Sequence, residues 1–417
     1  MKTYLTVLRI ADYRILWVGA LVSLIGDGAS WIAMSWLAVT TGGAGSLTIL
    51  GLCYSSPIVI GGLLAGKFID RFSRRMLLVA DCTVRGAVML SVPLLALSGL
   101  LSMWHLYAVA AVYGLLKILP IGIIPTVIPD LVPKRHLSTA IALESIATNA
   151  AGLLGPAIGG ALIPLIGVNW VLAVDAVSYF AFALAVLGMK ARLDKPAHPV
   201  ADAGAGAGRG AWAPVVTFLR TDRVMLVITI AFTTFNIAMG MLIVAQPWLA
   251  HERLPGGATM LGILVGVLAC AEMAGSILAG LIPPAVRPML RIGVLQLVAG
   301  AGLLFLLGAH PALVLVGQVV CGIPAAVLVV SSQAVRYERT PEALRGRTMT
   351  LMRTLMLSAL PVGSVIAGPL LGSGRYTAMV LVMVVLAGGP GLLSLLFVRN
   401  AVVNARTSEP VGTASSR

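Results

Sequence analysis

Charge is scarce in this 417-residue chain: only 11% of residues are Asp, Glu, Lys or Arg, against about 25% in a soluble domain. A water-exposed surface cannot be built from so few charges, and a soluble fold is excluded. The four cysteines, Cys53, Cys82, Cys270 and Cys321, stand singly in apolar stretches, and the five histidines fall in or beside loops. Neither type has the spacing of a zinc site, a redox pair or a catalytic cluster. There is no G-x-x-x-x-G-K-[ST] phosphate loop, so ATP does not drive the protein directly. An enzyme is not expected, and neither is a cofactor or metal.

What is abundant is apolar sequence: 59% of residues are hydrophobic and the mean hydropathy is +1.00. A bilayer-spanning helix needs about 20 mostly apolar residues. Such runs lie at 15–40, 46–69, 76–98, 103–129, 138–164 and 168–188, and again at 223–250, 259–282, 291–309, 311–335, 348–371 and 375–398. Their continuity predicts helices, since barrel strands alternate over about 10 residues. Lys2, Arg9 and Arg14 precede a first run too long for a signal-peptide core, so the first span is expected to remain in the mature protein.

Of the 29 Lys and Arg, 24 fall in the termini and even-numbered loops, and only Arg253 and Arg375 fall on the opposite side. Arg85, Lys117 and Arg353 lie within or at the ends of spans. Positive charge is retained on the cytoplasmic side, which predicts a multi-pass protein with both termini cytoplasmic. The net charge of +14 is then topological, and no nucleic-acid partner is expected. The lipid bilayer is the expected surrounding, and a monomer the expected state.

Residues 189–222 contain Pro196, Pro199 and the alternating Ala/Gly run 203–208, a composition that buries no core and predicts a flexible linker. It separates a half at 1–188 from a half at 223–398; residues 399–417 read as a disordered tail. The halves echo each other. Arg14 and Asp27 recur as Arg223 and Asn236, Leu63-Leu64-Ala65-Gly66 as Ile277-Leu278-Ala279-Gly280, and Gly155 and Gly160 as Gly363 and Gly368. All three offsets are near half the chain, as in transporters built from parallel repeats.

Two motifs carry a family resemblance. Gly66-Lys67-Phe68-Ile69-Asp70-Arg71-Phe72-Ser73-Arg74-Arg75 resembles the G-x-x-x-D-R-x-G-R-R/K loop of the major facilitator superfamily, with Ser73 where Gly is usual. Gly152-Leu153-Leu154-Gly155-Pro156-Ala157-Ile158-Gly159-Gly160 resembles the G-x-x-x-G-P-x-x-G-G motif of that superfamily's exporters, its first interval one residue short. With Asp12-Tyr13-Arg14, Gly26-Asp27 and Leu131-Val132-Pro133, the sequence is similar to the branch of bacterial drug, macrolide and siderophore exporters. The resemblance implies an all-α membrane protein of twelve helices in two six-helix pseudo-repeats, residing in the bacterial cytoplasmic membrane. It also implies a cytoplasmic latch made by Gly66, Asp70, Arg71, Arg74 and Arg75, with Asp130 as the partner of Arg71 or Arg74. Gly152, Gly155, Pro156, Gly159 and Gly160 then form a hinge and packing surface. In the second half, Pro283-Pro284-Ala285-Val286-Arg287-Pro288 has lost the loop's acid, so the two latches should be unequal.

An ionisable side chain at mid-membrane costs about 2.5–3.5 kcal/mol on insertion scales and needs a reason to be there. Asp81 and Arg85, four residues apart, can form a pair on one helix face. Asp27 lies about 18 Å along span 1, too deep to reach the headgroups. Three readings stay open for it: a proton-coupling carboxylate, a structural hydrogen-bonded acid, or a cation-recognition site. Glu272, Asp175 and Glu144 are further proton-coupling candidates. In the resembled fold, spans 1, 4, 7 and 10 line the cavity, which gives Trp31, Met34, Tyr113, Lys117, Phe232, Phe235, Asn236, Met239, Gln246 and Gln333 as candidate lining. Lys117 stands where the family commonly has Arg; it would be the partner of a carboxylate or bind an anionic substrate group. The expectation is a secondary transporter exporting amphipathic small molecules in exchange for protons, with an importer or proton symporter of one defined solute as the competing reading.

Overall fold

The computed structural model describes residues 2–191, 193, 213–282, 287–308 and 310–407, with 2, 3, 62–70, 343, 346, 350, 393 and 396–407 described as backbone only. Among these residues all regular structure is helical. Helix α1 (Lys2–Leu8) precedes α2 (Ala11–Arg71), α3 (Arg74–Leu97), α4 (Met103–Leu116), α5 (Ile118–Leu131), α6 (Leu137–Ile166) and α7 (Val168–Leu187). Then come α8 (Ala213–Thr221), α9 (Arg223–Glu252), α10 (Gly257–Leu281), α11 (Pro288–Gly302), α12 (Pro311–Arg339), α13 (Arg345–Gly372) and α14 (Tyr376–Thr407).

Span count follows from two local features. Helix α2 holds two spans in one hydrogen-bonded run, broken inside at Gly43, whose φ of 62° and ψ of −153° suit only glycine. The chain folds back there, which brings the Trp31 and Tyr54 rings to 4.5 Å between centroids. Helices α4 and α5 together make a single span interrupted at Lys117. Pro120 causes the break, because it has no N–H for the carbonyl of Leu116. Ten helical segments are long and apolar enough to cross a membrane; counting both arms of α2 and adding the shorter Tyr376–Leu392 brings the described spans to twelve.

Helices α2–α7 pack among themselves, as do α9–α14; the main contacts between the two groups are α6 with α10 and α2 with α13. Under the sequence repeat these two contacts exchange, so the bundles meet through related surfaces. Large apolar side chains such as Val177, Leu184 and Leu281 point outward and are more than half exposed. Lipid is an acceptable solvent for them.

The structure differs from the sequence reading at two edges. Residues 213–221, placed in the linker, form α8, and its Val215 and Leu219 are buried against the second bundle. The apolar pair, four residues apart, finds a surface that linker composition alone does not reveal. Helix α14 runs on to Thr407, past residue 398, while the last ten residues of the tail and most of the linker lie outside the described residues.

Candidate functional site

The bundles touch mainly near the end remote from the basic loops. A Cβ at Gly160 would lie 2.7 Å from Gly262 Cα, and one at Gly368 would collide with Thr48. Thr259 of α10 donates to the Gly160 carbonyl at 3.1 Å, and Trp36 meets His251 at 5.5 Å. Toward the basic side a cavity of about 540 Å³ extends past Asp27, Trp31, Tyr54, Arg85, Lys117, Glu144 and Thr148. Apart from Ser23 its wall is otherwise apolar, with Leu24, Ile121, Ile124 and Phe182 from the first bundle and Ile243 from the second. This is an inward-facing shape if the basic side is the cytoplasmic one.

Behind the wall lies a buried polar cluster. Arg85 on α3 donates from Nε to Asp81 Oδ2 at 3.2 Å, and its Nη2 makes a shorter bond to the same oxygen. Its Nη1 donates to the Tyr179 hydroxyl at 2.9 Å, and that hydroxyl donates to Asp27 Oδ1. Arg85 Nη1 is also 3.6 Å from Asp27 Oδ1, and its guanidinium lies over the Tyr179 ring at 4.5 Å. Asp175 on α7 accepts from Ser30 Oγ at 2.5 Å and from Ser178 Oγ at 3.3 Å. Gly26 makes this possible, since a Cβ there would collide with Asp175 Oδ1. The Gly26-Asp27 pair thus admits one acid and supplies another.

Lys117 is a correction to its expected pairing. Its Nζ donates to the Tyr54 hydroxyl at 2.6 Å, and no ion pair joins it to a carboxylate among the described residues. The break at Lys117 directs the side chain to the second arm of α2, while Arg85 supplies the cation beside Asp27. Arg85 and Tyr179 had to be placed by tertiary packing. The i, i+4 spacing marked only the Asp81 end, and nothing in the local sequence marked Tyr179.

Other expected lining residues stand elsewhere. Met34 and Tyr113 are buried in packed contacts of the first bundle, Tyr113 against Tyr54 and Tyr179. Phe232 and Phe235 are buried, Phe232 beneath the guanidinium of Arg336 at 5.6 Å. Asn236 donates to its own helix at the Phe232 carbonyl, 2.8 Å away, and Met239 is half-buried against the core. Gln246 is buried with Nε2 unbonded, and Gln333 is exposed. None of these eight lines the cavity; Trp31 and Lys117 do.

Among the proton candidates, Asp27 and Glu144 line the cavity and Asp175 does not. Glu272 is exposed on α10, on the face roughly opposite the outward stripe of Ile263, Cys270 and Ile277 at 100° per residue, and its side chain has no ion pair or hydrogen bond among the described residues. No three His, Cys, Asp or Glu side chains among the described residues gather as metal ligands would.

In the signature loop, Gly66 and Asp70 lie outside the residues described with side chains. Arg71 is exposed over the Phe72 ring. Arg74 Nη1 pairs with Asp130 at 2.8 Å and donates to the Thr126 carbonyl, while Arg75 Nη2 donates to the Met189 and Ala191 carbonyls, each at 2.6 Å. Ser73, in the usual glycine position, caps α3 by accepting from the Met76 amide at 3.3 Å. These contacts tie helices of the first bundle to one another and do not cross to the second. On the same side of the second bundle Arg339 Nε binds Asp222 at 2.9 Å. Burial alone would raise the Asp222 carboxyl, but the Arg339 hydrogen bond and the Met225 and Val224 amides outweigh it and hold the carboxyl below its ordinary value.

The exporter-type glycines face three ways. Gly155 packs on Gly28 and Gly159 on Ala29 within the first bundle, Gly160 meets Gly262 of the second, and Gly152 and Pro156 line the cavity.

Two helical bundles around a cavity with buried charge define a multi-pass membrane transporter of major facilitator type. The chain belongs to the transmembrane secretion effector family, which it matches over residues 2–409. It is 25% identical over 415 residues to the multidrug efflux pump Tap of Mycobacterium tuberculosis, covering 94% of this chain and 96% of the pump. It is 25% identical over 384 residues to the enterobactin exporter EntS of Escherichia coli, covering 89% and 86%. The fold is similar to those of the peptide transporter POT (TM-score 0.73, 13% identity, 93% and 94% covered) and the nucleoside transporter NupG (TM-score 0.68, 13% identity, 93% and 98% covered).

Proposed function

We propose that this transporter exports amphipathic small molecules from the cytoplasm of a bacterium, through its inner membrane, in exchange for protons, by alternating access. Both termini and the basic loops then face the cytoplasm, and the two halves 1–188 and 223–398 rock about the cavity. The observation that carries the coupling is a charge count. Three carboxylates, Asp27, Asp81 and Asp175, lie in one region of the first bundle with two cations, Arg85 ion-paired to Asp81 and Asp27, and Lys117 hydrogen-bonded to Tyr54. Fully ionised, the group is one negative charge in excess; one proton makes it neutral. An uncompensated charge away from water costs several kcal/mol by order of magnitude, so a single exchangeable proton is what this count calls for. Of the three acids only Asp27 reaches the cavity wall, which makes it the group that exchanges the proton with water or yields it when substrate arrives. Amphipathic substrates suit a wall in which Trp31, Tyr54 and Phe182 provide apolar surface and Asp27, Lys117 and Glu144 provide charge. The multidrug efflux pump and the enterobactin exporter among its relatives support the direction of transport.

The test is substrate movement in proteoliposomes under an imposed pH gradient. Transport of a fluorescent amphiphile against its gradient, in the direction opposite to proton flow, supports antiport. Movement with the protons indicates symport, and insensitivity to the gradient removes the coupling.

A further inference from the structure

A second concavity lies outside the central cavity, on the outer side of the first bundle where α2 and α7 run together. It encloses about 410 Å³ between Val18, Gly19 and Val22 of α2 and Ala181, Phe182 and Ala185 of α7. Val18 and Val22 are 44% and 48% exposed, so the groove faces the region lipid occupies. Its depth comes from the small residues at 19, 181 and 185. The Phe182 ring lies down on Gly19, where a Cβ would collide with it, and Phe182 also lines the central cavity. That ring is a partition between lipid and cavity.

The groove is closed at its basic end by Arg14, in the first turn of α2, exposed, its side chain without an ion pair or hydrogen bond among the described residues. The neighbouring acid, Asp12, is already engaged, accepting from the backbone amides of Lys190 at 3.1 Å and Ala191 at 2.7 Å. From Arg14 to Val22 is ~12 Å of helix at ~1.5 Å per residue. An apolar slot of that length, with a free guanidinium at headgroup level, matches an amphiphile with an anionic head and a hydrocarbon tail.

We propose that this groove binds one anionic phospholipid, its phosphate on Arg14 and an acyl chain lying between α2 and α7 against Phe182. The phospholipid belongs to the leaflet on the basic side of the membrane. Binding there supports the outer face of the partition ring and does not depend on the direction of transport or on proton coupling.

Native mass spectrometry of the full-length protein, offered equal amounts of dioleoyl phosphatidylglycerol and dioleoyl phosphatidylcholine, tests this. The expected result is one saturable lipid with about a fivefold preference for phosphatidylglycerol, the scale of one basic side chain at a membrane surface. Arg14→Gln should abolish the preference, Arg14→Lys should retain it, and Ala181→Trp should displace the lipid by filling the slot. Arg9→Gln, outside the groove, should leave binding unchanged. A preference that persists in Arg14→Gln, or that falls equally in Arg9→Gln, overturns the assignment. Arg14 is exposed, so its substitution leaves folding intact even if Ala181→Trp does not.

Discussion

The Tyr179 hydroxyl on α7 donates to Asp27 on α2 while accepting from Arg85 on α3, so one phenol joins three helices at the acid that touches the cavity. Tyr179→Phe removes that donor, and a hydrogen bond to a charged group is worth about 1.5–3 kcal/mol. The expected outcome is a lower unfolding temperature and slower gradient-driven transport, because the junction of the three helices is lost. Thermal unfolding in detergent and initial rates in proteoliposomes check it.

Arg85 is the only cation joined by ion pairs to this cluster among the described residues, bonded to Asp81 and within 4 Å of Asp27. Arg85→Met leaves both acids buried without it and should destabilise the protein by about 3–5 kcal/mol. Adding Asp81→Leu should recover much of the loss, because the worst-placed acid is gone. Thermal unfolding of the purified variants in detergent reads both effects, and transport should remain lost in the double variant.

How much of this was legible in the sequence depends on distance along the chain. Hydropathy marks the spans because each needs only its own residues to be apolar, and the basic loops mark one side for the same reason. The Asp81–Arg85 pair was visible because four residues return to the same helix face. The bond from Arg85 through Tyr179 to Asp27 was not, since it joins positions 94 and 152 residues apart and depends on how three helices cross. Lys117 misled for a related reason: its residue type and span suggested a carboxylate, whereas the Pro120 break turns it to Tyr54. Gly152-to-Gly160 read as a packing surface from spacing, but only the folded chain divides it among α2, α10 and the cavity.

That division predicts different defects at neighbouring glycines. Gly155→Leu strikes Gly28 inside one bundle and should lower stability, with thermal unfolding as the readout. Gly160→Leu strikes Gly262 between the bundles and should hold the far end open. Labelling of a cysteine introduced near Trp36 should then rise several-fold over the parent protein, while unfolding changes little.

The Asp222–Arg339 pair gives a pH prediction of defined sign. Because the folded-state carboxyl is held below its ordinary value, the pair's stabilisation is fully present above the unfolded value of about 3.9 and fades as pH falls through the lower folded one. Between pH 5 and 8 it should be constant. Asp222→Asn should therefore leave the shape of the transport profile in that range unchanged, which a parallel pH series would establish.

Proton exchange at Asp27 is best tested by following pH directly while substrate binds to purified protein in weakly buffered detergent. The wild-type protein should release protons on binding and Asp27→Asn should bind substrate and release none. Equal proton release from the two proteins would contradict the account.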